Sequence, residues 1–415
     1  MIDELPRELA PADLRVSQEG GRLMSSRVAA APILCVVGAR PNLMKIAAVI
    51  RAMRGATPPI PVRLLHTGQH YDSEMNGQFF RALGIPDPDI NLEVGSASHA
   101  VQTAEIMRRF EPVLEEEQPA AVLVVGDVNS TLACALVAVK KGVAVIHVEA
   151  GLRSFDRSMP EEINRLLTDQ ISDLLFITER SARENLMREG VPESRIHFVG
   201  NVMIDTLRYR LEDAVPAAQT MSQHGAPAEG AEKAFSVLTL HRPSNVDDPI
   251  MLRSLLGAIR DVSSRLPVVF PMHPRTRAKI EQHGLSPMLE TRSILKLPPL
   301  GYLEMLGLMQ AARLVLTDSG GIQEETTALG IPCVTLRENT ERPITVEQGT
   351  NTVVGSSPAR ILAAVDDILR SGGKSGRIPE LWDGRASQRI VAVLREWLES
   401  ATERLVAYSA VTGRR

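Results

Sequence analysis

Short apolar runs rich in β-branched residues recur along the chain, each followed by a stretch with helical spacing. In the first half they are Ile33 to Val37, Val62 to Leu65, Ala121 to Val125, Ala144 to Val148, Leu174 to Ile177 and Ile196 to Val199. Such runs are continuous rather than alternating, which marks strands covered on both faces, and their alternation with helices predicts a parallel sheet. A second series repeats the pattern: Ser236 to Leu240, Val268 to Pro271, Ile294 to Leu297, Leu314 to Thr317 and Cys333 to Leu336. The expected fold class is therefore α/β, with two doubly wound, Rossmann-like parallel-sheet domains. Residues 1–30 are polar without a sustained period and read as an N-terminal extension. The first domain is placed at 31–205 and the second at 206–380, with the boundary near Asn201 to Glu212. Residues 381–415 hold a final helical stretch, Ala386 to Leu398, that could pack back on the first domain. Between the two series, Ala214 to Glu232 is rich in Ala, Gly, Pro and Gln and is expected to be a loop or mobile insertion. Ligands of open α/β sheets bind beyond the carboxyl ends of the strands, so two such domains facing each other would define a cleft.

Composition narrows the partners. A chain of 415 residues is too long for one ordinary core, in keeping with two domains. Aromatic residues make up 3% and the net charge is −4 with no long Lys/Arg run, which excludes the stacking platforms and basic grooves that hold nucleic acid. Cys35, Cys134 and Cys333 lie in widely spaced apolar segments, as buried reduced thiols do, and point to the cytoplasm. The N-terminus, MIDELPRELAPADL, has neither a basic nor an apolar signal region, and no apolar run is long enough to span a bilayer, so no membrane association is expected.

Candidate chemistry sits where the strands end. After Leu314 to Thr317 comes a Ser319-Gly320-Gly321 turn and then a helix whose unpaired N–H groups and positive dipole end suit a phosphate. Glu324 and Glu325 lie one turn in, where a carboxylate could take both hydroxyls of a ribose. Arg342, beyond the next strand, carries the planar fork that matches phosphate. In the first domain Gly38-Ala39-Arg40-Pro41 follows the first strand, with Lys45 on the helix behind it, and can hold an anion. It lacks the glycine spacing of a dinucleotide fingerprint, so no nicotinamide cofactor is expected. Asp127 follows the strand ending at Val125, as an active-site group or an ordinary cap. Glu149 closes the next apolar strand, where it could pair with Arg153 or serve as a general acid. Pro160-Glu161-Glu162 opens a helix with ordinary helix-start chemistry, but from the same rim. His241-Arg242 and His273-Pro274-Arg275 follow strands of the second domain. No ligand spacing supports a metal there, and a histidine beside arginine suits phosphate or proton transfer better.

Taken together, GARP with Lys45, GDVNST, HVEAGLRSFDRSMPEEINR, LHRPSN, MHPRT and TDSGGIQEE with ENTERP resemble the non-hydrolysing UDP-N-acetylglucosamine 2-epimerases, in order from Ile33 to Gly355. The resemblance implies a glycosyltransferase-B type fold, a homodimer, a UDP-sugar substrate and no metal or other cofactor. It implies reversible conversion of UDP-N-acetylglucosamine to UDP-N-acetylmannosamine for polysaccharide biosynthesis, by elimination of UDP to a 2-acetamidoglucal and re-addition. Carried over by position, Asp127, Glu149 and Glu161 are similar to the acid/base carboxylates and His241 to a catalytic residue. Arg40, Lys45, Ser319, Gly320, Gly321, Glu325 and Arg342 are similar to the family's UDP contacts.

The chain departs from the best-known bacterial members after Arg242, where it reads Pro243-Ser244-Asn245, in a shorter loop between Glu149 and Glu161, and at Gln69-His70-Tyr71. These departures argue against activation by substrate at a second site. Leu300 and Met305 stand where some relatives place uracil contacts, so the base pocket must be built differently. A UDP-2,3-diacetamido sugar as the epimerised substrate, a UDP-sugar-dependent glycosyltransferase of the same fold, and a non-catalytic UDP-sugar sensor are the alternatives.

Overall fold

The structure, a computed structural model, describes residues 31–68, 80–225 and 234–412, the last twelve as backbone only. The N-terminal extension, Gln69-His70-Tyr71 and residues 226–232 of the insertion lie outside the described residues.

Two all-parallel sheets form the frame. The first runs β3-β2-β1-β4-β5-β6-β7, from β1 (Ile33–Val37), β2 (Val62–His66), β3 (Ile90–Asn91), β4 (Ala121–Val125), β5 (Ala144–Ala150), β6 (Leu174–Ile177) and β7 (Ile196–Phe198). The second runs β10-β9-β8-β11-β12-β13, from β8 (Ser236–Thr239), β9 (Val268–Pro271), β10 (Ile294–Leu297), β11 (Leu314–Thr317), β12 (Cys333–Thr335) and β13 (Asn351–Val353). Central strands such as β1, β4 and β11 are buried along their whole length, as continuous apolar runs require. This is the expected pair of doubly wound domains in a glycosyltransferase-B type arrangement.

In each sheet the strand order reverses once, between β1 and β4 and between β8 and β11, and the crevice beyond such a reversal is where ligands of this architecture bind. The turns after these four strands carry Gly38 to Arg40, Asp127, His241 and Ser319 to Gly321 respectively. Topology alone therefore brings most of the candidate groups to two facing rims.

Helix Val202–Arg210 joins the halves, packing on helix Arg40–Gly55 of the first and helix Gly320–Leu329 of the second. The final helix, Ala386–Thr412, returns to pack on the same Arg40–Gly55 helix, burying Ala386, Ile390 and Leu394. One apolar cluster thus runs through both domains, from Ile33 and Leu123 to Val315 and Leu394.

Three local expectations change. Within the run from Ala214, Ala217–Gln223 is a helix rather than a loop, because Thr220 and Met221 bury against helix Tyr302–Ala311. The helix after Thr317 opens at Gly320, so it takes in two residues of the expected Ser319-Gly320-Gly321 turn. Strands β3 and β13 carry too short an apolar run to be read from sequence; backbone pairing to β2 and to β12 makes them strands.

Candidate active site

The first rim is built from the backbone outward. Asn42, on the first turn of its helix, accepts from the N–H groups of Gly38 and Ala39 and donates 2.9 Å to the Val125 carbonyl, locking the β1 turn to the end of β4. Gly126 then takes φ of +67°, and a side chain there would meet the Lys45 ammonium at 2.8 Å. Only glycine both adopts that turn readily and leaves the cation room. Below it, buried His147 binds the Gly126 carbonyl through Nε2 at 2.8 Å and Asp169 through Nδ1 at 2.6 Å. Asp169 also holds Arg153, at 2.7 Å, and the Gly151 N–H, so the β4 and β5 turns form one fixed unit. Arg153 is committed to Asp169 and Glu189 and does not pair with Glu149.

Glu149 is released for another task. It sits at φ of +73°, where the register between β5 and β6 shifts. A non-glycine residue there is strained, and such strain persists where the surroundings over-determine it, often at functional sites. Its Oε1 is 2.8 Å from Lys45 Nζ and 2.9 Å from Arg342 Nη2, which comes from the other domain. Oε2 is buried without a hydrogen-bond partner among the described residues.

Asp127 keeps 22% of its side chain exposed and forms a close ion pair with Arg165. Burial by itself raises its pKa, but Arg165, Lys45 and Arg342 outweigh burial and hold it below the usual carboxylate range. Arg165 is oriented by Glu162, 2.7 Å away, whose carboxylate also accepts from the N–H groups of Ser154 and Phe155. The helix start at Pro160 thus turns Glu162 inward as a brace, while Glu161 lies half-buried beside it with no hydrogen bond or ion pair among the described residues.

On the second rim, Asp318 is fully buried at the end of β11 and gathers the β8 turn. It accepts from the N–H groups of His241 and Arg242 and from Asn245, and lies 3.0 Å from His241 Nδ1. That contact fixes the ring and leaves Nε2 as its free face, the arrangement by which a carboxylate orients a histidine. His273 stacks at 5.6 Å from His241, and its pKa is lowered by burial, then by the charges of His241 and Arg40. Arg40, from the first domain, therefore lies near the histidine pair of the second.

Ser319 caps the Gly320–Leu329 helix, and a Cβ on Gly320 would meet Glu341 Oε1 at 2.8 Å and Arg342 Cζ at 3.9 Å. Gly321 faces Met203. Arg342, beside this turn, reaches Glu324 through Nε at 2.9 Å as well as Glu149 across the cleft. Burial pushes the Glu324 carboxyl up, with Arg342 opposing and Glu149 adding to the rise. Glu325 is buried as well: Tyr302 donates to it at 3.0 Å, and burial pushes it up to about 7.

Asp127, Glu149, Lys45 and Arg342 thus meet the glycine turn in one cleft, with His241 and Arg40 on its two walls. The sequence offered no role for Asp318 or Glu341, and gave Glu162 and Arg165 only ordinary helix-start chemistry. A signal for Asp318 lies in its placement between an apolar strand and the glycine turn. No group of three or more His, Cys, Asp or Glu positioned to hold a metal occurs among the described residues.

The profile of the family described as UDP-N-acetylglucosamine 2-epimerase matches residues 53–395. The chain is 42% identical over 355 residues to the UDP-N-acetylglucosamine 2-epimerase of Methanococcus maripaludis, covering 83% of this chain and 95% of that one. It is also 42% identical over 369 residues to the UDP-2,3-diacetamido-2,3-dideoxy-D-glucuronate 2-epimerase of Pseudomonas aeruginosa, covering 87% and 99%. The crystal structure of the Methanocaldococcus jannaschii UDP-GlcNAc 2-epimerase in complex with UDP-GlcNAc and UDP matches with a TM-score of 0.81 at 39% identity, over 88% of this chain and 99% of that one. With a family match that runs through both sheets and relatives this similar over most of their length, the chain belongs to the UDP-N-acetylglucosamine 2-epimerase family.

Proposed function

We propose that this chain interconverts UDP-N-acetylglucosamine and UDP-N-acetylmannosamine without net hydrolysis. The observation that carries the reading is Glu149: a strained strand-end carboxylate of the first domain, gripped by Lys45 and by an arginine that borders the phosphate-cradle turn of the second. Acid/base and leaving-group chemistry have their residues within one cleft.

A carbon-bound proton at C2 of the sugar is not acidic enough for simple exchange, so the steps are an elimination and its reverse. A carboxylate takes the C2 proton, the C1–C2 double bond forms, and the C1–O bond breaks with its electron pair leaving on UDP. The 2-acetamidoglucal then receives a proton at C2 from the opposite face while the diphosphate oxygen re-adds at C1. Asp127 is held ionised at neutral pH and enters as a proton acceptor. Glu149 and Glu161 complete the carboxylate set, and His241, oriented by Asp318, faces it from the second domain. Arg40, Lys45, Arg342, the Ser319 hydroxyl and the N–H groups at Gly320 and Gly321 oppose the charge that develops on the departing diphosphate and keep it in the cleft for re-addition, the Ser319 N–H being taken by Thr317. Glu325 is assigned to the ribose.

One other substrate has a specific observation behind it. The Pseudomonas aeruginosa relative is as similar as the Methanococcus one and acts on a UDP-2,3-diacetamido uronate. NMR assays of epimer formation from both nucleotides separate the two. Epimer from UDP-N-acetylglucosamine is expected, and formation from neither substrate would remove the epimerase reading. A cytoplasmic homodimer is part of the same proposal. It is supported by three buried free cysteines and by exposed Val101, Val139 and Leu167 on three neighbouring helices of the first domain. Light scattering giving one chain's mass would contradict the dimer.

A further inference from the structure

Away from the cleft, the distal half of helix Arg40–Gly55, helix Val202–Arg210 and the start of the final helix line an open, groove-like cavity of about 680 Å³. It shares no lining residue with the cleft described above. Arg51 lies on its wall eleven positions beyond Arg40, roughly 16 Å along the same helix. Its volume falls in the range of small-molecule sites, about 300–1,000 Å³.

Four guanidinium groups line this cavity, from Arg51, Arg208, Arg385 and Arg395, against two carboxylates, Asp205 and Asp383. Both carboxylates are committed elsewhere. Asp205 accepts from the N–H groups of Ala386 and Ser387, at 3.1 and 2.7 Å, and from the Ser387 hydroxyl at 2.6 Å. Asp383 pairs with Arg389, which does not line the cavity. The buried start of the final helix is therefore already capped, and the charged donors left to a bound anion are the arginines, with Gln388 and the Tyr209 hydroxyl as neutral ones.

None of the four arginines has a carboxylate partner among the described residues. Arg395 spends one donor on the Pro58 carbonyl, at 2.8 Å. Arg51 is laid flat over the Tyr209 ring, 3.3 Å from its centroid, with Nη2 buried and unpartnered. Stacking of this kind fixes a guanidinium in place, and the planar fork then presents paired donors that match phosphate oxygens. Four guanidinium groups against two carboxylates leave the concavity net positive, and that potential favours an anion.

We infer that this cavity binds a small phosphate-bearing anion at a site distinct from the cleft. Arg208 and Arg385 are exposed, so replacing them leaves the core untouched. The test is calorimetric titration of pyrophosphate into the full chain, with and without saturating UDP, for the wild type, for Arg208→Gln/Arg385→Gln, and for Arg54→Gln. Arg54 is an exposed arginine of the same first helix that does not line the cavity. The inference predicts a pyrophosphate site that persists under UDP, at least tenfold weaker in the double variant and unchanged in Arg54→Gln, with UDP binding alike in all three. Absence of pyrophosphate binding under UDP would overturn it. So would a double variant that binds as the wild type does, or an equal weakening in Arg54→Gln, which would mark a diffuse charge effect. A chain that takes pyrophosphate here but no UDP at all would leave this inference standing while removing the proposed function.

Discussion

At the scale of single residues, the cleft couples charges that sequence places more than a hundred positions apart. Asp127 is ionised because three cations outvote its burial, so Asp127→Asn removes a base while the UDP cradle stays intact. Acid/base groups typically contribute about 10²–10⁴-fold, and a turnover assay should show a loss of that order with UDP affinity changed only a few-fold. Wild-type turnover in the variant would exclude Asp127 from the chemistry. Glu325 gives a pH signature. Its folded pKa of about 7 lies above the ordinary value of about 4.3, so the folded state binds more protons between those limits. Its contribution to stability is full below the lower limit and is lost as pH rises through the upper one. Glu325→Gln cannot lose it, and its oxygen can still accept from Tyr302. Thermal melts should therefore show the variant gaining on the wild type as pH rises from about 4.5 to about 7, and parallel curves would contradict the assignment. Asp127 and Glu149 were legible as charges at strand ends, Lys45 as a cation on the helix after β1, and Arg342 as one beyond β12. Their partners were not: Glu149 beside Arg153 in sequence suggests a local pair, and only the β5 bulge and the buried His147–Asp169–Arg153 network show why that pair does not form.

At the scale of elements, strands buried on both faces announced themselves as unbroken apolar runs. Two of the four edge strands, β3 and β13, of two and three residues, had no such signal because backbone pairing alone defines them. The helix Ala217–Gln223 was illegible for a related reason, since its Ala, Gln and Ser content reads as linker until a partner helix buries one side. The glycine turn before Gly320–Leu329 was legible, and its need for glycine can be tested. Glu341, which a Cβ on Gly320 would strike, is buried and held by Arg337 at 2.8 Å, so it cannot swing aside freely. Gly320→Ala should weaken UDP binding by more than tenfold in calorimetry and also lower the melting temperature, because the added methyl must displace the buried Glu341. Unchanged affinity would show that the turn does not cradle the diphosphate.

At the scale of the whole molecule, the two sheets act as one device because residues beyond both of them tie the halves together. Trp382 is fully buried, donates to the Thr178 carbonyl of the first domain at 3.1 Å, and packs on Ile204 and on Ile344 of the second. Trp382→Ala should cost about 3–5 kcal/mol in denaturant unfolding, and a loss below about 1 kcal/mol would show that this junction does not brace the cleft. The glycosyltransferase alternative shares the two-sheet frame, but it has no use for the proton acceptors that the proposed function assigns to the first rim. Isotope exchange separates the two. Incubation with UDP-N-acetylglucosamine in deuterated water, followed by NMR, reads the central claim directly. The account predicts deuterium at C2 of both the recovered substrate and its epimer, with UDP retained on the sugar. Epimer or recovered substrate bearing only protium at C2, at full conversion, would contradict it.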